Sequence, residues 1–302
     1  MTDQRKGKIQ TVCGLIEPED LGPTLMHEHI LWDVTRPEVQ TEAEAAGTPP
    51  VTITLENVWE INRHSTRDYG NQSNDDHAVA LAELIRLRES GGAAIVDLSN
   101  FGLKPDPEGL RTLSQASGVA IVQGAGYYVD EYIPDEMKDK SVDRLTREIV
   151  DQVTEGCWGT DVRAGIIGEI GCMWPLRPFE RKVLQASAVA QRETGAAINV
   201  HPGRHAKAPF EAVDIIVEAG GDPTRLIMSH IDRTLFSTED VLRLAETGCV
   251  IEYDFFGIET SYYWFSGVDL PTDYMRLAYI RSLIERGLAG QIVVSHDICT
   301  KT

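Results

Sequence analysis

From Ala93 onward the chain repeats one unit, a short continuous apolar run followed by an amphipathic stretch of helix length. The runs fall at 93–98, 119–124, 165–170, 197–201, 226–230, 250–254 and 292–297, with helices expected around 108–117, 141–155, 178–194, 209–219, 238–247 and 272–287. An apolar run without alternation is a strand covered on both faces, which calls for parallel strands flanked by crossover helices. Thr24-Leu25-Met26-His27-Glu28-His29-Ile30 supplies a first strand, and a helix capped at Asp75-Asp76 runs through Val79, Leu81, Leu84 and Leu87 to Gly91-Gly92. Eight strands in succession, alternating with helices, predict an α/β chain closed as a (β/α)8 TIM barrel. The open doubly wound sheet is the alternative, but no Gly-x-Gly-x-x-Gly follows the first strand.

The barrel accounts for residues 1–302 as a single domain. Residues 8–22 read as a hairpin that turns at Glu17-Pro18-Glu19-Asp20 and plugs one end. A long excursion after the first strand carries loop residues at 47–50 and 69–74 around a helix near 54–65. The sequence stops at Thr302, just past the eighth strand, so the last helix of the pattern is lacking and the chain reads as shortened from a longer one.

Side chains alternate along a strand, so His27 and His29 share one face while Met26, Glu28 and Ile30 share the other. In such barrels the chemistry gathers at the C-terminal ends of the strands. Ligand-type residues recur there: Glu169 on the fourth strand, His201 on the fifth, His230 on the sixth and Asp297 on the eighth. Singly each has a plainer use, Glu169 as a turn carboxylate and His201 as the start of a loop. Together, four imidazoles and two carboxylates suit two divalent ions roughly 3.5–4 Å apart with one carboxylate between them. His64, His77 and His205 read as surface or packing residues, and His296 as one that orients a neighbour.

Composition narrows the partners. With 28 Lys and Arg against 47 Asp and Glu, the net charge is -19 and no basic run is present, which disfavours nucleic acid and anionic membranes. Five scattered cysteines without a Cys-x-x-Cys pair, and no signal-peptide or membrane-length apolar stretch, predict a cytoplasmic protein with reduced thiols.

The segments LGPTLMHEH, IIGEIG, NVHPG, MSHIDRT and SHDICTKT occur in the same order as in the phosphotriesterase-like family of the amidohydrolase superfamily, which the chain resembles from about residue 8 to the end. The resemblance implies two divalent metal ions, zinc first with manganese, cobalt or iron as alternatives. It assigns His27, His29 and Asp297 to one, His201 and His230 to the other, and Glu169 to both. It also implies hydrolysis of a small amide, with N-acetyltaurine or a related N-acyl amino acid as substrate. Lactonase, esterase or phosphotriesterase activity is the alternative, and a barrel that binds metal without catalysis is a third reading. Phosphotriesterases proper bridge their metals with a carboxylated lysine, so Glu169 argues against efficient phosphotriester hydrolysis.

Water shared by two such ions loses a proton near neutral pH, and the resulting hydroxide attacks an amide or ester carbonyl. Asp297 is then the proton acceptor and the donor to the leaving amine. Tyr128 either bonds the substrate or the hydroxide or packs against a loop. Arg204 and Arg233 either meet a substrate anion or form salt bridges with Asp232 or Glu252. Tyr262, Tyr263, Trp264 and Phe265, in the loop after the seventh strand, suit a lid or a homodimer contact.

Overall fold

The computed structural model describes residues 5–63, 68–261, 263 and 265–302. Eight strands form one sheet in chain order: β1 (Thr24–Glu28), β2 (Ala94–Asp97), β3 (Ala120–Ala125), β4 (Ile166–Gly171), β5 (Ile198–His201), β6 (Leu226–Met228), β7 (Val250–Tyr253) and β8 (Ile292–Val294). Every pairing between neighbours in this order is parallel. Between successive strands run the helices α1 (His77–Glu89), α2 (Pro107–Ser117), α3 (Val142–Thr154), α4 (Pro178–Thr194), α5 (Ala208–Glu218), α6 (Thr238–Ala245) and α7 (Asp273–Ile284). The expected barrel is present.

Local chemistry sets the helix starts. The Asp76 carboxylate accepts from the backbone N–H of Ala78 and Val79 at 2.9 and 3.1 Å, and Ser141, Ser237 and Thr272 cap α3, α6 and α7 in the same way. On α3, Leu145, Ile149 and Val153 recur every four residues and are buried, in one core with Val183, Ala186 and Ala190 of α4. Inside the barrel, Gly124 and Gly168 let β3 and β4 approach closely: a Cβ on Gly124 would stand 2.1 Å from the Gly168 carbonyl oxygen.

The N-terminal hairpin pairs Ile9–Thr11 with Gly14–Ile16, so it turns at Val12-Cys13 rather than at the expected 17–20, where a short 3-10 turn feeds β1. Val12 N–H donates to the Ile121 carbonyl at 2.8 Å, which lays the hairpin across the starting end of β3 as a plug. In the excursion, a helix at Pro37–Ala46 was not legible from the sequence, and the helix expected from residue 54 begins at Val58 and is described as far as Arg63. His64 lies outside the described residues. Trp32-Asp33 pairs with Ser73-Asn74, folding the excursion back over β1.

The two ends of the sheet meet largely through side chains. Asp297 N–H donates to the His27 carbonyl at 3.2 Å. The buried Glu28 carboxylate accepts from Ser295 Oγ at 2.7 Å, His296 N at 2.8 Å and Ile298 N at 3.3 Å, and faces His296 Nδ1 at 3.1 Å. Ser295 Oγ in turn accepts from His27 N–H at 3.0 Å. On the outside, Val294 of β8 and Tyr274 and Leu277 of α7 are exposed. Among the described residues no helix is long and apolar enough to cross a membrane, and all five cysteines are free.

Candidate metal centre

The six residues singled out at the strand ends converge on one point, the Glu169 carboxylate at the end of β4. Glu169 Oε1 lies 2.5 Å from His201 Nδ1, 2.6 Å from His230 Nε2 and 3.4 Å from His27 Nε2, and its Oε2 lies 4.0 Å from His29 Nε2. Asp297 closes the other side, with Oδ1 at 3.3 Å from His29 Nε2 and 3.7 Å from His27 Nε2. Within these six residues three sets of donor atoms fall within 4.8 Å of one another: His27, His29 and Glu169; Glu169, His201 and His230; and His27, His230 and Asp297. All six residues are buried, and among the described residues His27 Nε2 has no hydrogen-bond partner.

The backbone aims two of these side chains at a cost. His230 and Asp297 lie two and three residues past the ends of β6 and β8 with φ of 54° and 50°, a region that residues other than glycine enter rarely and at about 1–3 kcal/mol. Behind the rings stand groups to which the sequence reading gave no part in the site. Glu252 Oε2 faces His27 Nδ1 at 3.1 Å and accepts from Asn199 at 2.8 Å. Asp254 takes His230 Nδ1 at 3.0 Å and its backbone N–H at 2.9 Å, and its Oδ2 lies 3.4 Å from His27 Nδ1. The Ser99 hydroxyl faces His29 Nδ1 at 3.0 Å. Glu252 and Asp254 are two residues apart on an otherwise apolar run, the same spacing that singled out His27 and His29, and that was the available signal.

Burial dominates the electrostatics, and neighbouring charge decides its outcome. For Glu169, burial favours the neutral acid, but His201 and His27 outweigh it and hold the carboxyl well below its ordinary range. Asp297 is likewise lowered, against burial, by its bond to His29 and the charges of His27 and His230. Burial depresses every ring. At His27 the Glu169 charge overrides it, at His29 the bond to Asp297, and at His230 the Asp254 charge, so all three are raised. At His201 burial prevails over Glu169, with the Arg233 charge on its side, and the ring is lowered well below the imidazole range.

The centre opens into a cavity of about 1080 Å³. Tyr128 stands on its wall, its ring edge-on to His201 at 5.3 Å, and burial together with the Glu169 charge raises its phenol well above the usual range. Arg204 is also on the wall. Its Nε and Nη2 donate to the Tyr263 hydroxyl at 3.2 Å each, and its guanidinium lies 4.5 Å from the centre of the Phe265 ring. The loop after β7 thus turns these two aromatics inward, while Tyr262 and Trp264 lie outside the described residues.

Arg233 is placed differently. It stands behind His201 and off the wall, with Nη2 at 3.0 Å from His201 Nε2. The expected alternative of a salt bridge to Asp232 or Glu252 does not form, because Asp232 pairs with Arg276 Nε at 2.9 Å and Glu252 serves His27. Arg204 likewise has no acidic partner among the described residues. Of the other histidines, His77 faces Asp106 at 3.6 Å on the surface, His205 stacks on Trp174 at 4.3 Å, and His296 braces Glu28.

Residues 7–302 match the Phosphotriesterase family. The chain is 40% identical to the phosphotriesterase-related protein of Nematostella vectensis, over 98% of this chain and 86% of that one. It is 40% identical to the human N-acetyltaurine hydrolase, over 98% and 85%. Among solved structures it is similar to a resiniferatoxin-binding protein from Rhodobacter sphaeroides, with a TM-score of 0.89 and 33% identity over 98% and 83%. The chain belongs to the phosphotriesterase family and is a metal-dependent hydrolase.

Proposed function

We propose that this hydrolase cleaves the amide bond of a small N-acyl acid, with N-acetyltaurine or a closely related N-acyl amino acid as substrate. The observation that carries the reading is Arg204, a cation without an acidic partner among the described residues, on the wall of the cavity that His29, Glu169, His201 and Asp297 also line. A half-buried guanidinium that meets, among the described residues, a phenol and an aromatic face is suited to a sulfonate or carboxylate. The name carried by the human relative supports the same substrate.

The donor set fits two divalent ions: the unpartnered His27 Nε2 and the crowding of His201 and His230 on one Glu169 oxygen are what a cation between them would relieve. In this reading His27, His29 and Asp297 hold one ion, His201 and His230 the other, and Glu169 both. Imidazole and carboxylate donors suit zinc first, then cobalt, manganese or iron. Bound there, the ions supply a hydroxide nucleophile at neutral pH and polarise the scissile carbonyl. Asp297 takes the nucleophile's proton and passes it to the leaving amine. Tyr128 donates its phenol hydrogen to the substrate, and Arg204 anchors the acidic end. The free cysteines support a cytoplasmic setting, and the inward turn of Tyr263 and Phe265 favours a lid over a subunit contact.

A cavity of about 1080 Å³ exceeds the needs of N-acetyltaurine, which favours lactones or larger esters as the second reading. Release of taurine from N-acetyltaurine by protein loaded with two metals tests the first. Turnover should vanish with a chelator and return with zinc, manganese or cobalt. Arg204→Ala should raise KM for N-acetyltaurine at least about ten-fold, a charged hydrogen bond's worth, and leave an uncharged ester unaffected. Hydrolysis of lactones without taurine release would transfer the assignment to the second reading.

A further inference from the structure

A guanidinium has two edges that each present a pair of N–H groups useful for an anion, Nε with Nη2 and Nη1 with Nη2. In Arg204 the first edge is filled: Nε and Nη2 both donate to the Tyr263 hydroxyl, at 3.2 Å each. Phe265 covers a face, its ring centre 4.5 Å from the guanidinium carbon, and the Tyr263 and Phe265 rings lie 5.4 Å apart. Edge and face together fix the plane of the group. Nη1 has no hydrogen-bond partner among the described residues, and Arg204 is on the cavity wall, so the Nη1–Nη2 edge is the one left to a ligand.

The Tyr263 hydroxyl is also half used. A phenol oxygen that accepts two N–H bonds keeps its own hydrogen, and among the described residues nothing accepts it. Tyr263 lines the same cavity. Nη2 belongs to both edges of Arg204, so the phenol borders the open one.

The loop after β7 holds this phenol in place without a ligand. Tyr263 N–H donates to the Val268 carbonyl at 2.5 Å, and Gly267 N–H to the Tyr263 carbonyl at 2.8 Å, which closes the tip into a tight turn. At the base the buried Arg276 donates to the Ile258 carbonyl at 2.7 Å and to Asp232 at 2.9 Å. Glu259, the acid that this loop brings to the cavity wall, is turned to the start of α7, where its Oε1 accepts from Asp273 N–H at 2.6 Å.

We propose that Arg204 and Tyr263 form a three-donor clamp, made of Nη1–H, Nη2–H and the Tyr263 O–H, which selects a sulfonate over a carboxylate. This rests on the reading of Arg204 as the anchor for the substrate's acidic end. A sulfonate offers three oxygens at tetrahedral angles, one for each donor. A carboxylate offers two, so two donors must share an oxygen. The sulfonate also spreads its charge over more atoms and is more weakly hydrated, so it loses less on entering a wall built from Phe255, Tyr263 and Phe265. Tyr263 acts twice, binding the anion through its O–H and positioning Arg204 through the edge it fills.

The test is an NMR titration of metal-free protein with N-acetyltaurine and with N-acetyl-β-alanine, which differ only in sulfonate against carboxylate. Filling the clamp requires neither metal nor turnover. N-acetyltaurine should bind about ten-fold more tightly, the worth of one further hydrogen bond to a charged group. Tyr263→Phe keeps the ring against Phe265 and removes the hydroxyl. It should bring the two Kd values within about two-fold of each other, chiefly by weakening the sulfonate. Phe265→Leu should weaken both acids alike, because it loosens the guanidinium and spares the hydroxyl. Thermal melts of the variants check the fold. A purely structural Tyr263 would weaken both acids equally, so a ratio that survives Tyr263→Phe overturns the clamp. Equal binding of the two acids by the unsubstituted protein, or binding of neither, overturns it as well. Arg204→Ala separates the anchor from the clamp: if both acids still bind as before, the two fall together. If N-acetyltaurine is held with the expected preference but metal-loaded enzyme releases no taurine, the clamp stands and the amide reading falls.

Discussion

The two halves of the centre are built on different principles. His27, His29 and Asp297 come from the first and last strands, and what holds them is the closure of the barrel itself, through Glu28, Ser295 and the bond from Asp297 N–H to the His27 carbonyl. His201 and His230 come from adjacent strands in the middle of the sheet, where the ladder is continuous and the support is local: Asp254 behind one ring and Arg233 behind the other. The first half depends on long-range order and the second on a charge pattern. Damage to closure should therefore be felt first at His29 and Asp297, and damage to the charge pattern first at His201 and His230.

The largest effect expected from breaking this contrast is at Asp297. Asp297→Asn should lower kcat by about 10²–10⁴-fold, the usual worth of a general acid–base group, while metal analysis still finds the ion at His201 and His230. Unchanged turnover would remove Asp297 from proton transfer. Next is the seam. Glu28→Gln puts an N–H against the Ile298 N–H and should cost about 1–3 kcal/mol in urea unfolding, with metal loss confined to the first half. Equal loss from both halves would mean that closure supports the whole centre. The smallest and sharpest comparison is between the two acids of β7. Glu252→Gln should weaken metal binding about 10–100-fold in the His27 half alone. Asp254→Asn should act on both halves, because Asp254 bonds His230 and also lies 3.4 Å from His27 Nδ1. Confinement of the Asp254→Asn effect to one half would show that the shorter contact is the only one that matters.

The fold and the six converging residues could be read from the sequence because both follow from local periodicity. Apolar runs without alternation meant buried parallel strands, and polar residues at their ends meant a shared rim. The spacing of His27 and His29 was legible for the same reason, and Glu252 and Asp254 carried it too, but without a histidine neither was singled out for the site, and Glu252 read only as a partner for an arginine. The arginines themselves could not be resolved. Whether Arg204 and Arg233 line the cavity, and that Asp232 belongs to Arg276 44 residues away, is decided by side chains meeting across elements remote in sequence. The Pro37–Ala46 helix was missed because only Ala43 of it is buried, which leaves no apolar stripe to detect. The hairpin turn was misplaced because Val12-Cys13 lacks the glycine, proline or asparagine chemistry that Pro18 and its acidic neighbours display.

The seam has one more consequence. In the stretch His27-Glu28-His29, alternate residues serve opposite purposes, the imidazoles facing the centre and the carboxylate clasping β8. A slip of β1 by one residue would exchange the two faces, aiming Glu28 at the metals and leaving histidines to close the barrel. Such a misfolded chain would fail to seal and fail to react together. The stretch thus acts as a built-in proofreader of its own register: the error that would spoil the chemistry is also the one that leaves the barrel open, where it is exposed to proteolysis instead of persisting as a closed but inactive enzyme.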